Sequence, residues 1–395
     1  MKKRSCVIVS VLVTFILTSM FFLSPLGSFI SNAIQIASGT NSFYSKKNQI
    51  DFLMEKYYIN EYDVSKMEDT ALYAYALASG DPYTQYIGKE EYESLMETLE
   101  GDYKGIGVEV YLNNGLITVI SAFDDSPAAK AGLLPGDVIF KVDGIEANAE
   151  NYQESINRIK GVYAEPQDTA LTLTVKRGNE ILDIALNREE IKAQTVKSYT
   201  IDNTKTGYIR ISNFAENTVN EFEAHLNTLL NDNITALIID LRDNPGGILE
   251  SVVGVADILL PEGDIVTIKN KNGDSIPYKS DKDELDLPIC VLINGNSASA
   301  SEVLAGALRD YKKATLIGTK TFGKGVVQTV IDFGDNTAFK YTNARYYTPS
   351  GECIDQIGIK PDIEIALSES AQKKLTSTLK FDEDLQLAEA LKQLQ

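Results

Sequence analysis

The chain has 395 residues, 44% of them hydrophobic and 24% charged, and carries a formal net charge of −19. That length and balance suit two or three domains with substantial cores. So acidic a chain lacks the clustered Lys and Arg that phosphate groups require, which excludes nucleic acid and anionic membrane surfaces as main partners.

The N-terminus, "MKKRSCVIVSVLVTFILTSMFFLSPLG", opens on Lys2, Lys3 and Arg4 and then runs from Cys6 to Leu23 without a charge. This is close to the roughly 20 apolar residues of a membrane span, with its basic flank on the cytoplasmic side. Residues 1–30 are therefore expected to be an uncleaved signal anchor to the cell membrane, which leaves the body extracytoplasmic. The small residues "SNA" at 31–33 keep a removed signal peptide, and hence secretion, as the rival.

Residues 41–100 read as helical. "KNQIDFLMEKYY" and "KMEDTALYAYALASG" place apolar residues at helical spacing, the turn "GDPYTQYI" follows, and "KEEYESLMETLEGD" makes an acidic helix. Residues 101–188 change to short strands: "GIGVEVYL", a hairpin at "NNG", "LITVISAF", "VIFKVDG", "ALTLTVKRG" and "ILDIALN". Ser126-Pro127 opens a short helix there, and a second helix is expected near 150–160. From 189 to 366, "TGYIRISNF", "ALIIDLRD", "PICVLING" and "ATLIGTKTFG" alternate with helices near 217–231, 250–260 and 299–313, the pattern of an α/β sheet. Residues 367–395 read as a partly polar helical tail. The fold class is thus α/β and mixed α+β.

The three cysteines, Cys6, Cys290 and Cys353, show no metal-ligand spacing, and no histidine stands near them. Neither a metal nor an organic cofactor is expected. A Cys290–Cys353 disulfide is conceivable only on grounds of compartment.

"NGNSASASEVLAGALRD" sets Ser297, Ser299 and Ser301 on alternate positions ahead of a helical pattern. Ser299 and Glu302 have the spacing of a capping box, which explains the serine without catalysis. Yet a serine at a helix N-terminus also lies where free amides and the positive dipole end can stabilise an oxyanion. A hydroxyl nucleophile needs a base. His225 sits among Phe222, Leu226, Leu229 and Leu230 on an amphipathic helix, where a surface histidine is the simpler reading. The alternative base is a lysine neutralised by burial. In "TKTFGKGVVQTV", Lys324 stands between Gly323 and Gly325 in a β-prone segment, and Lys320 is a weaker candidate. If 324–330 is a strand, Lys324 and Gln328 share a face and the amide can orient the amine. In "DLRDNPGG", Gly246 and Gly247 let the backbone approach a ligand and supply amides, although Gly and Pro mark ordinary turns as well.

Taken in order, these motifs resemble those of the carboxyl-terminal processing peptidases, also called tail-specific proteases. The resemblance runs from "DPYTQYI" through "GIGV", "SPAAKAGLLPGDVIFKVDG", "DLRDNPGG", "NGNSASASEVLAGALRD" and "GTKTFGKGVVQ" to "YYTPSGECIDQIGIKPDI". It implies a PDZ domain over 101–188 and a Ser–Lys protease core over 189–366. Ser299 would be the nucleophile, Lys324 the general base and Gln328 its orienting partner. The amide of Ala300, with that of Gly246 or Gly247, would form the oxyanion hole. Gly105, Ile106, Gly107 and Val108 would bind a substrate's C-terminal carboxylate. The implied partners are proteins or peptides with accessible apolar C-termini, with homodimerisation through the 41–100 helices as a further expectation. This chain has Ile159-Lys160-Gly161 where the family tends to carry Ile-Arg-Gly, so Lys160 or Arg158 is expected to couple the PDZ unit to the core. The rival function is a PDZ scaffold whose protease core is inactive or gated by a partner.

Overall fold

The structure is a computed structural model that describes residues 42–395 apart from 101, 114, 124–125, 165–167, 282 and 375. The signal anchor expected over residues 1–30 lies outside the described residues, and among the described residues no helix is long and apolar enough to cross a membrane. The chain forms two compact units, one ending at Thr70 and the other spanning Ala71–Gln395. In the first, Ser42 caps α1 (Phe43–Tyr57) by accepting from the Ser45 amide at 3.2 Å. Helix α2 (Val64–Leu77) follows and runs across the boundary.

In the second unit, β1 (Gln85–Ile87) and the acidic helix α3 (Lys89–Glu100) lead into β2 (Asp102–Gly105). Then come β3 (Val108–Asn113), β4 (Leu116–Ala122), α4 (Pro127–Lys130), β5 (Val138–Val142), β6 (Ile145–Glu146), α5 (Tyr152–Lys160), β7 (Ala170–Arg177), β8 (Glu180–Asn187) and β9 (Glu189–Lys192). The sheet order is β3-β4-β5-β7-β8 with β6 on β5, and β2 pairs separately with β9. In "ALTLTVKR", Leu171, Leu173 and Val175 point inward at every second position and pack with Ile106, Ile117, Val119 and Ile139. Ser126 caps α4 as its sequence indicates, accepting from the Ala129 amide at 3.2 Å.

The core that follows is an α/β layer. Its elements are β10 (Val196–Thr200), β11 (Thr206–Ile211), α6 (Thr218–Asn231), β12 (Ala236–Asp240), α7 (Leu249–Leu259), β13 (Gly263–Asn270), β14 (Ser275–Ser280) and β15 (Ile289–Ile293). They continue with α8 (Ala300–Asp310), β16 (Ala314–Gly318), β17 (Val326–Asp332), β18 (Ala338–Tyr347), β19 (Ile363–Glu364) and α9 (Leu385–Gln393). One sheet has the order β10-β11-β12-β15-β16-β19, parallel except at β10. Every residue of β12 and β15 is buried, because α6, α7 and α8 cover one face and α9 the other. Parallel strands covered on both faces read as continuous apolar runs, which is why "ALIID" and "PICVLI" are legible. The turns at the carboxyl ends of β12, β15 and β16 carry the candidate motifs, the usual location of sites in parallel α/β sheets.

The structure adds a sheet, shortens the tail helix and leaves Cys290 and Cys353 unpaired. A second, antiparallel sheet, β1-β18-β13-β14 with β17 on β18, was not legible as such. The polar residues of "GDIVTIKN" and "AFKYTNARYY" interrupt its half-buried pattern. The tail is helical only over α9; residues 367–384 hold two short 3₁₀ turns, and Thr376 of the second bonds to Arg210 and Asp243 of the core. Cys290 and Cys353 are both free thiols, and burial within β15 pushes the Cys290 thiol up to about 11.

Candidate active site

Two of the three alternating serines are held in structural bonds. The buried Ser297 hydroxyl donates to the Leu241 carbonyl at 2.8 Å and accepts from the Asn294 amide at 3.0 Å. The buried Ser301 hydroxyl donates to the Asn244 carbonyl at 3.0 Å. Ser299 differs. It stands on the sharp turn between β15 and α8 with φ 56° and ψ −115°, a region that a residue with a Cβ seldom occupies. Such backbone strain is worth about 1–3 kcal/mol and persists only where neighbours hold it. The holding contacts here are the Ala298 amide on the Asn244 carbonyl at 3.0 Å and the Ser299 amide on Glu302 at 2.9 Å. A strained serine between a strand and a helix is the geometry of a nucleophile elbow; Ser299 itself is buried here, with its side chain hydrogen-bonded to Tyr346.

Glu302 does more than cap. It is fully buried, and its Oε1 accepts from the Thr321 hydroxyl at 2.5 Å and the Gly323 amide at 2.7 Å. Its Oε2 accepts from the amides of both Ser299, at 2.9 Å, and Lys324, at 2.8 Å. One carboxylate oxygen therefore ties the backbone of the candidate nucleophile to that of the candidate base. Charge-assisted bonds of this kind are about twice as strong as neutral ones. The Ser299/Glu302 spacing was visible in the sequence, but its reach to residues 321–324 was not.

Lys324 is not on a strand. It precedes β17 in an extended loop, and a bulge between Val327 and Gln328 shifts the register, so the expected shared face of Lys324 and Gln328 does not form. The flanking glycines have a steric cause: a Cβ on Gly323 would lie 3.0 Å from the Gly358 amide nitrogen, and one on Gly325 2.2 Å from that of Asp355. Lys324 is half-buried, with Nζ 5.1 Å from the centre of the Tyr83 ring. Burial, helped by repulsion from Lys340, lowers its amine below the ordinary value of 10.5, while Asp81 and Glu302 pull the other way. The Gln328 amide nitrogen is buried without a hydrogen-bond partner, and no described hydrogen bond joins Gln328 to Lys324. Lys320 is exposed, and His225 lies on α6 with Nδ1 2.8 Å from the Ser198 hydroxyl.

The two glycines after Pro245 separate cleanly. The Gly246 amide donates to the Asn244 side chain at 2.8 Å, and its carbonyl accepts from Phe214 at 2.9 Å. A Cβ on Gly246 would stand 2.8 Å from Ser299 Cβ and 2.9 Å from the Ala300 nitrogen, so this turn presses directly on the serine. Gly247 pairs with Phe214 in a parallel bridge, which turns its amide away from that strand. Among the described hydrogen bonds the amides of Gly247 and Ala300 have no acceptor. The turn is anchored by a feature not read from the sequence. Arg242, in the turn after β12, is buried and bonds Asp240 at the end of that strand and, bidentately, Asp384 at 2.8 and 2.9 Å.

A groove of about 370 Å³ opens beside Gly105, Ile106, Gly107 and Val108, with Ile156, Ile159 and Lys160 of α5 opposite. The expected role of Arg158 and Lys160 at the core is not what the geometry shows. Arg158 pairs with Glu154, four residues back on α5, at 2.7 Å and stacks over Tyr163 just past the helix end. Lys160 faces α3 and β2, pairing with Glu97 and standing 5.6 Å from the Tyr103 ring. The core instead sends Lys197 of β10 to Glu109 at 3.0 Å and Ser121 at 2.7 Å.

A mixed parallel sheet with a strained serine at a strand end, joined to a peptide-sized groove on a separate β unit, defines a serine hydrolase with an attached binding module. Residues 205–365 match peptidase family S41 and residues 105–187 match the PDZ domain. A carboxy-terminal-processing protease of Bartonella bacilliformis is 40% identical over 317 residues, covering 78% of this chain and 71% of the relative. A probable CtpA-like serine protease of Staphylococcus aureus is 35% identical over 366 residues, covering 91% and 72%. A solved structure from Bacteroides fragilis, assigned to the S41 proteases, has a TM-score of 0.56 at 17% identity over 87% of this chain and 96% of that one, a likeness of fold. The chain belongs to peptidase family S41, the carboxy-terminal-processing serine proteases, and carries a PDZ domain. It is a hydrolase.

Proposed function

We propose that the enzyme cuts proteins near the C-terminus with a Ser299–Lys324 dyad, after the PDZ groove captures the free carboxylate. The observation that carries this reading is the single Glu302 oxygen bonded to the amides of Ser299 and Lys324. Neutral Lys324 takes the Ser299 proton as Oγ attacks the scissile carbonyl carbon. The C–N bond then breaks, and the lysine proton goes to the leaving amine. Water attacks the acyl-enzyme, Lys324 accepts its proton, and that proton returns to Ser299 as the acid product leaves. The amides of Ala300 and Gly247 hold the oxyanion in both steps; Gly246, whose amide is taken by Asn244, supplies the close approach instead. Gln328, with an unpartnered buried amide, orients the amine when substrate closes the site. The glycine-rich 105–108 segment binds the substrate carboxylate with its amides and an extended peptide along β3. In the unit ending at Thr70, exposed Phe43, Ile50, Leu53 and Tyr57 support pairing with a second copy.

Cleavage of an unstructured protein with an apolar C-terminus, followed by mass spectrometry, tests the dyad. Ser299→Ala and Lys324→Ala should each lose cleavage by more than about a thousandfold, while His225→Ala keeps it. Peptide binding without cleavage by the parent enzyme would support the scaffold reading instead.

A further inference from the structure

We propose that Tyr83 is a positioning residue for the general base: its ring walls the Lys324 amine off from water, and its face steadies the ammonium formed in each proton transfer. This rests on the Ser299–Lys324 reading above. Tyr83 belongs to the turn between α2 and β1, far from the catalytic motifs in sequence. The turn is built to hold it. Asp81 accepts from the Tyr83 amide at 3.0 Å and from the Thr84 hydroxyl at 2.6 Å, and Thr84 Oγ1 in turn accepts from the Thr342 amide at 3.2 Å. Next, β1 pairs with β18 through Gln85↔Lys340, Tyr86↔Phe339 and Ile87↔Ala338. The ring is thereby fixed to the strand that also carries β17.

Nothing else among the described residues grips the amine, since no hydrogen bond or ion pair engages Lys324 Nζ, whereas the ring centre lies 5.1 Å away. The charged and titratable groups around it are Asp81 from the same turn, Glu302 from α8 and Lys340 from β18. Asp355 faces Tyr83 from the loop after β18. Glu302 is not a counterion in the ordinary sense, because both its oxygens already accept from Thr321, Gly323, Ser299 and Lys324. The ring therefore acts in two opposed ways. As a wall it favours the neutral amine that attacks; as an aromatic face it favours the ammonium.

Replacements in the full chain separate these effects in the pH dependence of kcat/KM. Tyr83→Phe keeps both, and its acid limb should coincide with that of the parent. Tyr83→Leu keeps an apolar wall without the face, so the limb should move to lower pH by about one unit with a lower kcat plateau. Tyr83→Ala opens the amine to water, so the limb should move up toward the ordinary lysine value of 10.5. The position of the limb, unlike its height, is insensitive to a partly unfolded sample. Limbs of the Leu and Ala variants that coincide with the parent's, or that move together, would overturn the proposal. Lys324→Ala, run alongside, keeps the two claims distinct. Cleavage surviving there would remove the dyad itself, whereas its loss beside unmoved Tyr83 limbs would remove only this inference.

Discussion

Lys324, the proposed base, occupies a position that is costly for an ammonium. Half-buried and facing Lys340, its amine is lowered below 10.5, so in the folded protein it binds fewer protons than in the unfolded chain. Stability must then rise with pH through that interval, since the unfolded state is the one losing protons. The penalty is fully present below the folded value and gone above 10.5. Lys324→Met should therefore raise resistance to urea at pH 7, and the gain should fade as pH climbs toward the ordinary lysine range, a trade of stability against function. Equal urea midpoints for parent and variant across pH would contradict this. The Gly-Lys-Gly signature was legible as a lysine set between glycines in an apolar segment, although the glycines themselves answer to close packing against Gly358 and Asp355. The Lys324–Gln328 relation was not, because a one-residue bulge cancels the alternation that spacing assumes. Nor could the sequence choose between Gly246 and Gly247, since the choice depends on which amide Asn244 takes.

The element that presents Gly246 and Gly247 is held from behind by charge. Asp240, at the end of β12, is fully buried, and its carboxyl, despite burial, is drawn down to about 2 by Arg242 and Arg210. Arg242 is completed by Asp384, just ahead of α9, and Thr376 donates to Asp243 at 2.6 Å. The tail therefore belongs to the machinery that fixes the turn. Removing one partner of a buried pair is far worse than removing both, because a charge is stranded. Asp384→Ala should lower stability by about 3–5 kcal/mol in denaturant unfolding and reduce kcat more than it alters KM. A variant with parental stability and kcat would show that the tail only covers the sheet. In the sequence this tail read simply as a polar helix, for periodicity carries no sign of a partner more than a hundred positions away. Strands buried on both faces were legible, while the antiparallel sheet, half-exposed and rich in Lys, Asn and Arg, was not.

At the scale of the whole second unit, the PDZ groove is joined to the turn beside Ser299 by contiguous backbone. Ala193 and Asn213 line the groove, and Asn213 precedes Phe214, whose backbone clasps the Gly246–Gly247 turn. Lys197 adds an ion pair from β10 to Glu109. The groove and the Gly246–Gly247 turn thus share one stretch of backbone, which would link the proposed peptide binding to the proposed oxyanion hole.

The most direct test of the dyad is the rate at which a serine-reactive phosphonyl fluoride labels the enzyme, with the modified residue located by peptide mass mapping. The account predicts labelling at Ser299 alone, faster as pH rises through the Lys324 transition and slowed at least about a hundredfold by Lys324→Ala. Labelling of Ser297 or Ser301, or an undiminished rate in the Lys324 variant, would contradict it.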